Sequence, residues 1–495
     1  MSDILKTDKL SQAISLEKIG KEYLLSQEYE KALYPLIQSL AIRETENDKP
    51  GEFSTMSSIA QVFSTQGDYE TAFSYLQKAL KVAREIGDIA SEAVALNNIS
   101  GIYKSQGDYE TALSYLKQSL AIAEQIGDKA GEAKTLNNIS QIYDAQGDYE
   151  TALTYLKHSL AFMQQSGDRA SEAITRNNIS GIYKAIGDYE TALSYLQQSL
   201  AIMKEVGNKV GEGTTLNNIS QIYVARGDYE GALSYLQQSL AIMRQVGNKA
   251  GEGTTLNNIS QIHVARGDYE TAYSLLEQSL VIKQQIGDKA GIGATLNNIS
   301  QIYYALGDYG KALSYLKQSL IISQQIGDKA GEGTTLNNIS QIYVAQGDYE
   351  TALLYLKQSL TISQQIGDKA GEGTTLNNLS QIYVAQDDYE TALAYLKQSL
   401  AISQQIGDKA GFCATSFNLG YVYAQNDQIK EAASAWASTY LMAKQINHAP
   451  VLQALSQLAP QLGLTPGLDG WEKLAKQITD PNTQIDSNSE VRGQK

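Results

Sequence analysis

Asn97-Asn98 is the first of eight asparagine pairs spaced 40 residues apart. The others are Asn137-Asn138, Asn177-Asn178, Asn217-Asn218, Asn257-Asn258, Asn297-Asn298, Asn337-Asn338 and Asn377-Asn378, and a ninth second member stands at Asn418. A primary amide offers two N–H donors and a carbonyl acceptor with two lone pairs. One such side chain can grip both the N–H and the C=O of a single peptide unit. A row of them suits the backbone of an extended chain, whose polar groups are otherwise unpaired. The same amides can instead bond one repeat to the next and hold a stack in register, and the two members of a pair could divide these tasks. Asparagine is a mediocre helix former because its amide competes for backbone hydrogen bonds, so eight pairs within helical sequence need a reason.

The pairs sit inside a longer repeat. Gly-Asp-Tyr begins at residues 67, 107, 147, 187, 227, 267, 307 and 347, Asp-Asp-Tyr at 387, and diverged forms begin at Gln27 and Asp427, which makes eleven units. Residues 331–370 and 371–410 differ at four positions only: Ile339/Leu379, Gly347/Asp387, Leu354/Ala394 and Thr361/Ala401. Such similarity marks duplication and disfavours an enzyme, whose site would need one special unit. In the unit around Gly347, Leu336, Ile339 and Tyr343 follow one another at spacings of three and four, the apolar stripe of a first helix. Gly347 supplies the left-handed residue that ends it, Asp348 caps the next helix, and Glu350 lies near that helix's positive end. Ala352, Leu353, Leu356, Leu360 and Ile362 line a second helix predicted to run to about Ile366, where Gly367 and Asp368 repeat the stop-and-cap signal. Neither helix can bury its stripe alone, so neighbouring hairpins must stack.

The unit resembles the tetratricopeptide repeat. Leu336 stands at the family's Trp position and Ile339-Ser340 at its Leu-Gly pair, followed by Tyr343, Ala352 and Leu356. The family's closing Pro is absent, and the unit exceeds the usual length of about 34 residues, which lengthens the second helix and its turn. With Leu-Asn-Asn in the first helix, it looks most like the repeats of kinesin light chain and of similar bacterial arrays, over about residues 10–445. The resemblance implies an all-α, right-handed α-solenoid of about eleven helix-turn-helix repeats, with first helices lining a concave groove where asparagines of related arrays hold ligand peptides. Asn98, Asn138, Asn178, Asn218, Asn258, Asn298, Asn338, Asn378 and Asn418 would then form a ladder along that groove.

The first members Asn137, Asn177, Asn217, Asn257, Asn297, Asn337 and Asn377 share the adjoining helix face, as do Gln221, Gln261, Gln301, Gln341 and Gln381 and, one turn on, Val224, Val264, Tyr304, Val344 and Val384. This central row is neutral. Basic candidates, Lys104, Lys134, Arg176 and Lys184, cluster in the N-terminal third. Members of the family that clamp a chain terminus use Lys or Arg in the groove, so a terminal-carboxylate reader is disfavoured. A segment bound mainly through its backbone fits better, with an acidic stretch able to extend towards the lysines. The expected function is a non-catalytic scaffold for an extended segment of a partner protein. The alternatives are a self-assembling solenoid whose asparagines hold register, or a peptide-sensing regulator.

The formal charge of −15 comes largely from the repeated Asp and Glu. It repels phosphate backbones and anionic lipid, so neither nucleic acid nor a membrane surface is an expected partner. The one cysteine, Cys413, permits no intrachain disulfide and has no His or basic neighbour to activate it. The opening MSDILKTDKLSQAISLEKIG lacks a continuous apolar run, and a cytoplasmic monomer is expected, with self-association as the alternative. His158, His263 and His448 are scattered, no Gly-rich phosphate loop or metal set emerges, and no cofactor is expected. The recurring Asn-Ile-Ser sequon is incidental in mid-helix.

By this reading residues 1–48 form a degenerate N-terminal unit, 49–410 the tandem array, and 411–446 a diverged last unit, where Phe417 replaces an asparagine. Residues 447–480 form capping helices anchored by Trp471, and the polar stretch 481–495 is expected to be disordered.

Overall fold

A computed structural model describes residues 2–25 and 28–479. Gln27 and the expected disordered tail, 481–495, lie outside the described residues. Among these, twenty-four α-helices and one short 3-10 turn make up the regular structure. The chain is an all-α solenoid in which each repeat is a helical hairpin.

The local signals act as the sequence predicts. In the unit around Gly347 the first helix spans Lys329–Ala345 and the second Tyr349–Ile366. Gly347, at φ 78°, reverses the chain, and the Asp348 N–H donates to the Tyr343 carbonyl at 2.9 Å. The Asp348 carboxylate then accepts the Thr351 N–H at 3.0 Å, supplying a partner that the helix itself cannot. Where glycine gives way to Asp387, that residue takes φ 60°, a conformation a short polar side chain tolerates.

Packing explains why the stripes recur. Leu336, Ile339 and Ile342 of the first helix and Ala352 and Leu356 of the second are buried. The second helix also packs on the next repeat, so Ala352 and Leu356 share one core with Leu376, Leu379 and Ile382. Tyr343 stacks on Tyr355 with ring centroids 5.6 Å apart inside the hairpin. First helices of successive repeats touch one another, which puts them on the inside of the curve.

The curve closes on itself. A β-carbon built on Gly67 would lie 2.5 Å from Ile326 Cγ2, and one on Gly107 2.7 Å from Ile366 Cγ2. Gly147 meets Ile406 and Gly187 meets Ile446 in the same way. One turn of the superhelix therefore takes between six and seven repeats, and the Gly-Asp-Tyr turns of the first coil rest on the interrepeat turns of the second. The contact buries Ile326 (2% exposed) and Ile366 (6%), whereas Ile126, at the same repeat position, is 41% exposed. Withdrawing about a third of an isoleucine is worth on the order of 0.5–1 kcal/mol per residue.

The terminal hairpins differ from the others. Near the N-terminus, Arg43 is buried and bonds both Glu17 and Asp48 at 2.5 Å. At the other end, the helices Ala449–Leu458 and Asp469–Thr479 pack beside Trp436. Trp471 is fully buried there, and its indole N–H donates to the Leu455 carbonyl at 2.7 Å.

Candidate functional site

The two members of each asparagine pair have different surroundings. Asn337 is buried, and its amide donates to Ser359 Oγ at 2.7 Å and to Thr375 Oγ1 at 2.8 Å. Ser359 belongs to the second helix of the same repeat, and Thr375 to the first helix of the next. The Asn337 carbonyl accepts from the Asn378 amide at 3.1 Å. Asn97, Asn137, Asn177 and Asn297 donate to their own serine and threonine in the same way. The serines are anchored in turn, as Ser359 is by its bond to the Gly333 carbonyl at 2.9 Å. Asn217, Asn257 and Asn377 each accept from the second asparagine of the following repeat at 3.0 Å. A buried amide ladder thus links successive repeats.

The second members occupy the rim of that ladder. Asn138, Asn178, Asn218, Asn258, Asn298, Asn338, Asn378 and Asn418 are half-buried, and each donates one N–H to the first asparagine of the preceding repeat, at 2.8 to 3.2 Å. Asn98 has no such partner, because Ser57 occupies the preceding position and its hydroxyl is left buried without a bond. The second N–H and the carbonyl of each rim amide take no part in the interrepeat bond. The rim lies on the inner helices, beside Gln261, Gln301, Gln341 and Gln381, all exposed, and Val224, Val264, Val344 and Val384, half-buried; Gln221 is half-buried and Tyr304 exposed.

The pair resisted sequence reasoning because adjacent helical residues point about 100° apart, and small shifts in hairpin packing decide which one turns inward. The missed partners left a trace. Ser119, Ser159, Ser199, Ser239, Ser279, Ser319, Ser359 and Ser399 recur at the same interval on an apolar face, where a hydroxyl requires a bond.

In the N-terminal half the groove changes character. Lys104 donates to Gln141 Oε1 at 2.5 Å and Lys184 to Gln221 Oε1 at 2.6 Å, with Asp144 between them in the repeat order. Burial lowers both lysines, and the charge of Asp144 opposes that shift. The Asp144 carboxyl is raised by desolvation, which the two lysines offset in part, and the residue as a whole is exposed. A cavity of about 210 Å³ opens beside Gly181, lined by Asp144, Asn178, Lys184, Asn218 and Gln221. Of the other basic candidates, Lys134 is exposed, and Arg176 pairs with Glu172 at 2.9 Å. Among the described residues no group of three or more His, Cys, Asp or Glu could hold a metal ion, and no helix is long and apolar enough to cross a membrane. Cys413 is buried, and burial pushes its thiol up to about 12.

Hairpins of this length, stacked with the first helix inside, define a superhelical repeat array of the kind that serves protein interaction. The sequence model described as Tetratricopeptide repeat matches residues 11–85, 91–165, 171–245, 251–325, 291–365 and 331–405, and the chain belongs to that family. A model described as Anaphase-promoting complex subunit 5 also matches residues 376–462. No curated protein matches the chain. Solved structures that it resembles include BtubC (BKLC) from P. vanneervenii, 21% identical with a TM-score of 0.38 over 44% of this chain and 92% of that one. A Rap protein complexed with Competence and Sporulation Factor is 14% identical, with a TM-score of 0.49 over 72% and 99%. A putative kinesin light chain of Podosopora anserina with nearly identical TPR-like repeats is 19% identical, with a TM-score of 0.31 over 39% and 95%.

Proposed function

We propose that this protein is a non-catalytic cytoplasmic scaffold that holds an extended segment of a partner protein in its superhelical groove, with the terminal hairpins acting as caps. The observation that carries this reading is the division within each asparagine pair. The first amide is committed to the ladder, while the second is held by one bond at the rim and keeps an N–H and a carbonyl for a guest peptide unit. Fixing the rim amides in advance lowers the entropy lost on binding. The neutral row of Gln and Val beside them favours a segment bound through its backbone with apolar side chains against the valines.

The test is a peptide-display selection against the wild-type chain, followed by binding of the selected peptides to two triple variants. Asn258→Ala, Asn298→Ala and Asn338→Ala together remove rim amides, at a stability cost of about 1 kcal/mol per lost bond. Ser239→Ala, Ser279→Ala and Ser319→Ala together weaken the buried side of the same region and leave the rim intact. Loss of binding in the first variant only is expected. Equal binding to wild type and the asparagine variant, or equal loss in both variants, overturns the reading.

A further inference from the structure

The contact between coils leaves two of its own halves uncovered. Within the chain, one half is the row of Ile326, Ile366, Ile406 and Ile446, and the other is the set of glycine turns at Gly67, Gly107, Gly147 and Gly187 that receive them. The first coil repeats the isoleucine half on its outer edge. Ile86, Ile126, Val206 and Val246 hold the same repeat position, and all are exposed. The second coil repeats the glycine half on the opposite edge, where the space beside Gly267, Gly307 and Gly347 is open. Leu306, on that edge, is exposed. Its counterpart in the first coil, Ile186, lies over Gly407, with Cγ2 3.8 Å from the β-carbon position.

We propose that the two open edges dock on each other between molecules, so that copies of this chain associate head to tail along the superhelix axis. The occupant is a second copy because the internal contact already shows these two repeat positions fitting each other, and the open edges keep isoleucine or valine at one, apart from Ser166, and glycine at the other, apart from Asp387. The C-terminal helix Ala449–Leu458 covers one glycine turn of this row, Gly227, whose β-carbon would lie 3.1 Å from Ala449 Cβ, and leaves Gly267, Gly307 and Gly347 open. The contact pairs unlike surfaces, so a dimer keeps one free edge of each kind and growth continues with concentration.

Sedimentation velocity across a concentration series tests this with wild type and two variants. Ile126→Asp alters one edge and Leu306→Asp the other, and both residues are exposed, so the fold persists. Wild type is expected to rise above its 53.9 kDa monomer mass as concentration increases. Each variant alone is expected to associate at least about tenfold more weakly, since a buried carboxylate opposes the contact. Mixing the two should restore a 1:1 dimer that grows no further, because each supplies the edge the other lacks. Wild type remaining monomeric at about 200 μM, well above the μM range of specific complexes, overturns the proposal. So does Leu306→Asp associating as wild type does, or a mixture that fails to pair.

Discussion

Ile126 and Ile366 occupy the same position of nearly the same 40-residue sequence, yet one is exposed and the other buried. The first ends its helix on an open rim, and the second ends its helix against Gly107 of the previous coil. Aspartates two residues past this repeat position also differ, in part because Ser91 stands where other units have Gly371 and Gly411. Asp88, on the open rim, is lowered by hydrogen bonds from the Ser91 backbone and hydroxyl, whereas Asp368 and Asp408, beneath the first coil, are raised by desolvation. Tyr109, facing that second rim, is pushed up to about 12 by burial, with Asp368 adding to the shift. In a repeat array, sequence fixes the hairpin, while position along the coil fixes the environment.

Ile366→Asp buries a carboxylate between the coils and is expected to destabilise by about 2–4 kcal/mol. Ile126→Asp is expected to stay within about 0.5 kcal/mol. Urea unfolding measures both, and small-angle scattering should show the coils separating in the first variant only.

Gly107→Ala and Gly347→Ala share the strain of a left-handed residue, roughly 1 kcal/mol. Only Gly107→Ala also meets Ile366, so its cost should be about 1–2 kcal/mol higher by the same measurement. Equal costs would mean the coils do not touch in solution.

Lys283 gives a third contrast, since Met203 and Met243 fill its position in the first coil. It is buried, donates to Thr295 Oγ1 at 3.0 Å, and is lowered by burial. Lys283→Met should stabilise by about 1 kcal/mol at neutral pH, read as a rise in denaturation midpoint. The gain should shrink as pH rises through the lowered folded value, where the lysine becomes neutral.

The smallest effect concerns the caps. Asp368→Asn keeps the bond from the Gly371 N–H, as Asn208 does from Gly211, and removes the desolvated charge. It should stabilise slightly at neutral pH. A raised carboxyl loses stability as pH rises through its folded value, so the advantage should vanish below the unfolded value of about 4. Asp88→Asn should show the opposite sign, because a lowered carboxyl contributes stability above its unfolded value and loses it on acidification. Stability curves from pH 3 to 8 distinguish the two.

The hairpin was legible because its signals are local. Gly347 and Asp348 mark a turn by backbone freedom and capping alone, and Leu336, Ile339 and Leu356 mark the core by spacing. The asparagine pairs were legible as a set whose members could divide two tasks, but not which member turns inward, since Asn337 and Asn338 differ only in angle about the helix. The meeting of Ile366 with Gly107 was not legible at all. It depends on a small rotation per repeat summed over more than six repeats, and no single unit encodes that sum.

This contact also gives the array a threshold length. Isoleucine and glycine face each other across a fixed number of units, so gaining or losing a whole unit re-pairs every partner with an equivalent one. Chains too short to complete a coil have no such contact, and longer ones acquire one more with each duplication. Copy number can therefore drift freely above that size, while an insertion of any fraction of a unit disrupts two coils at once.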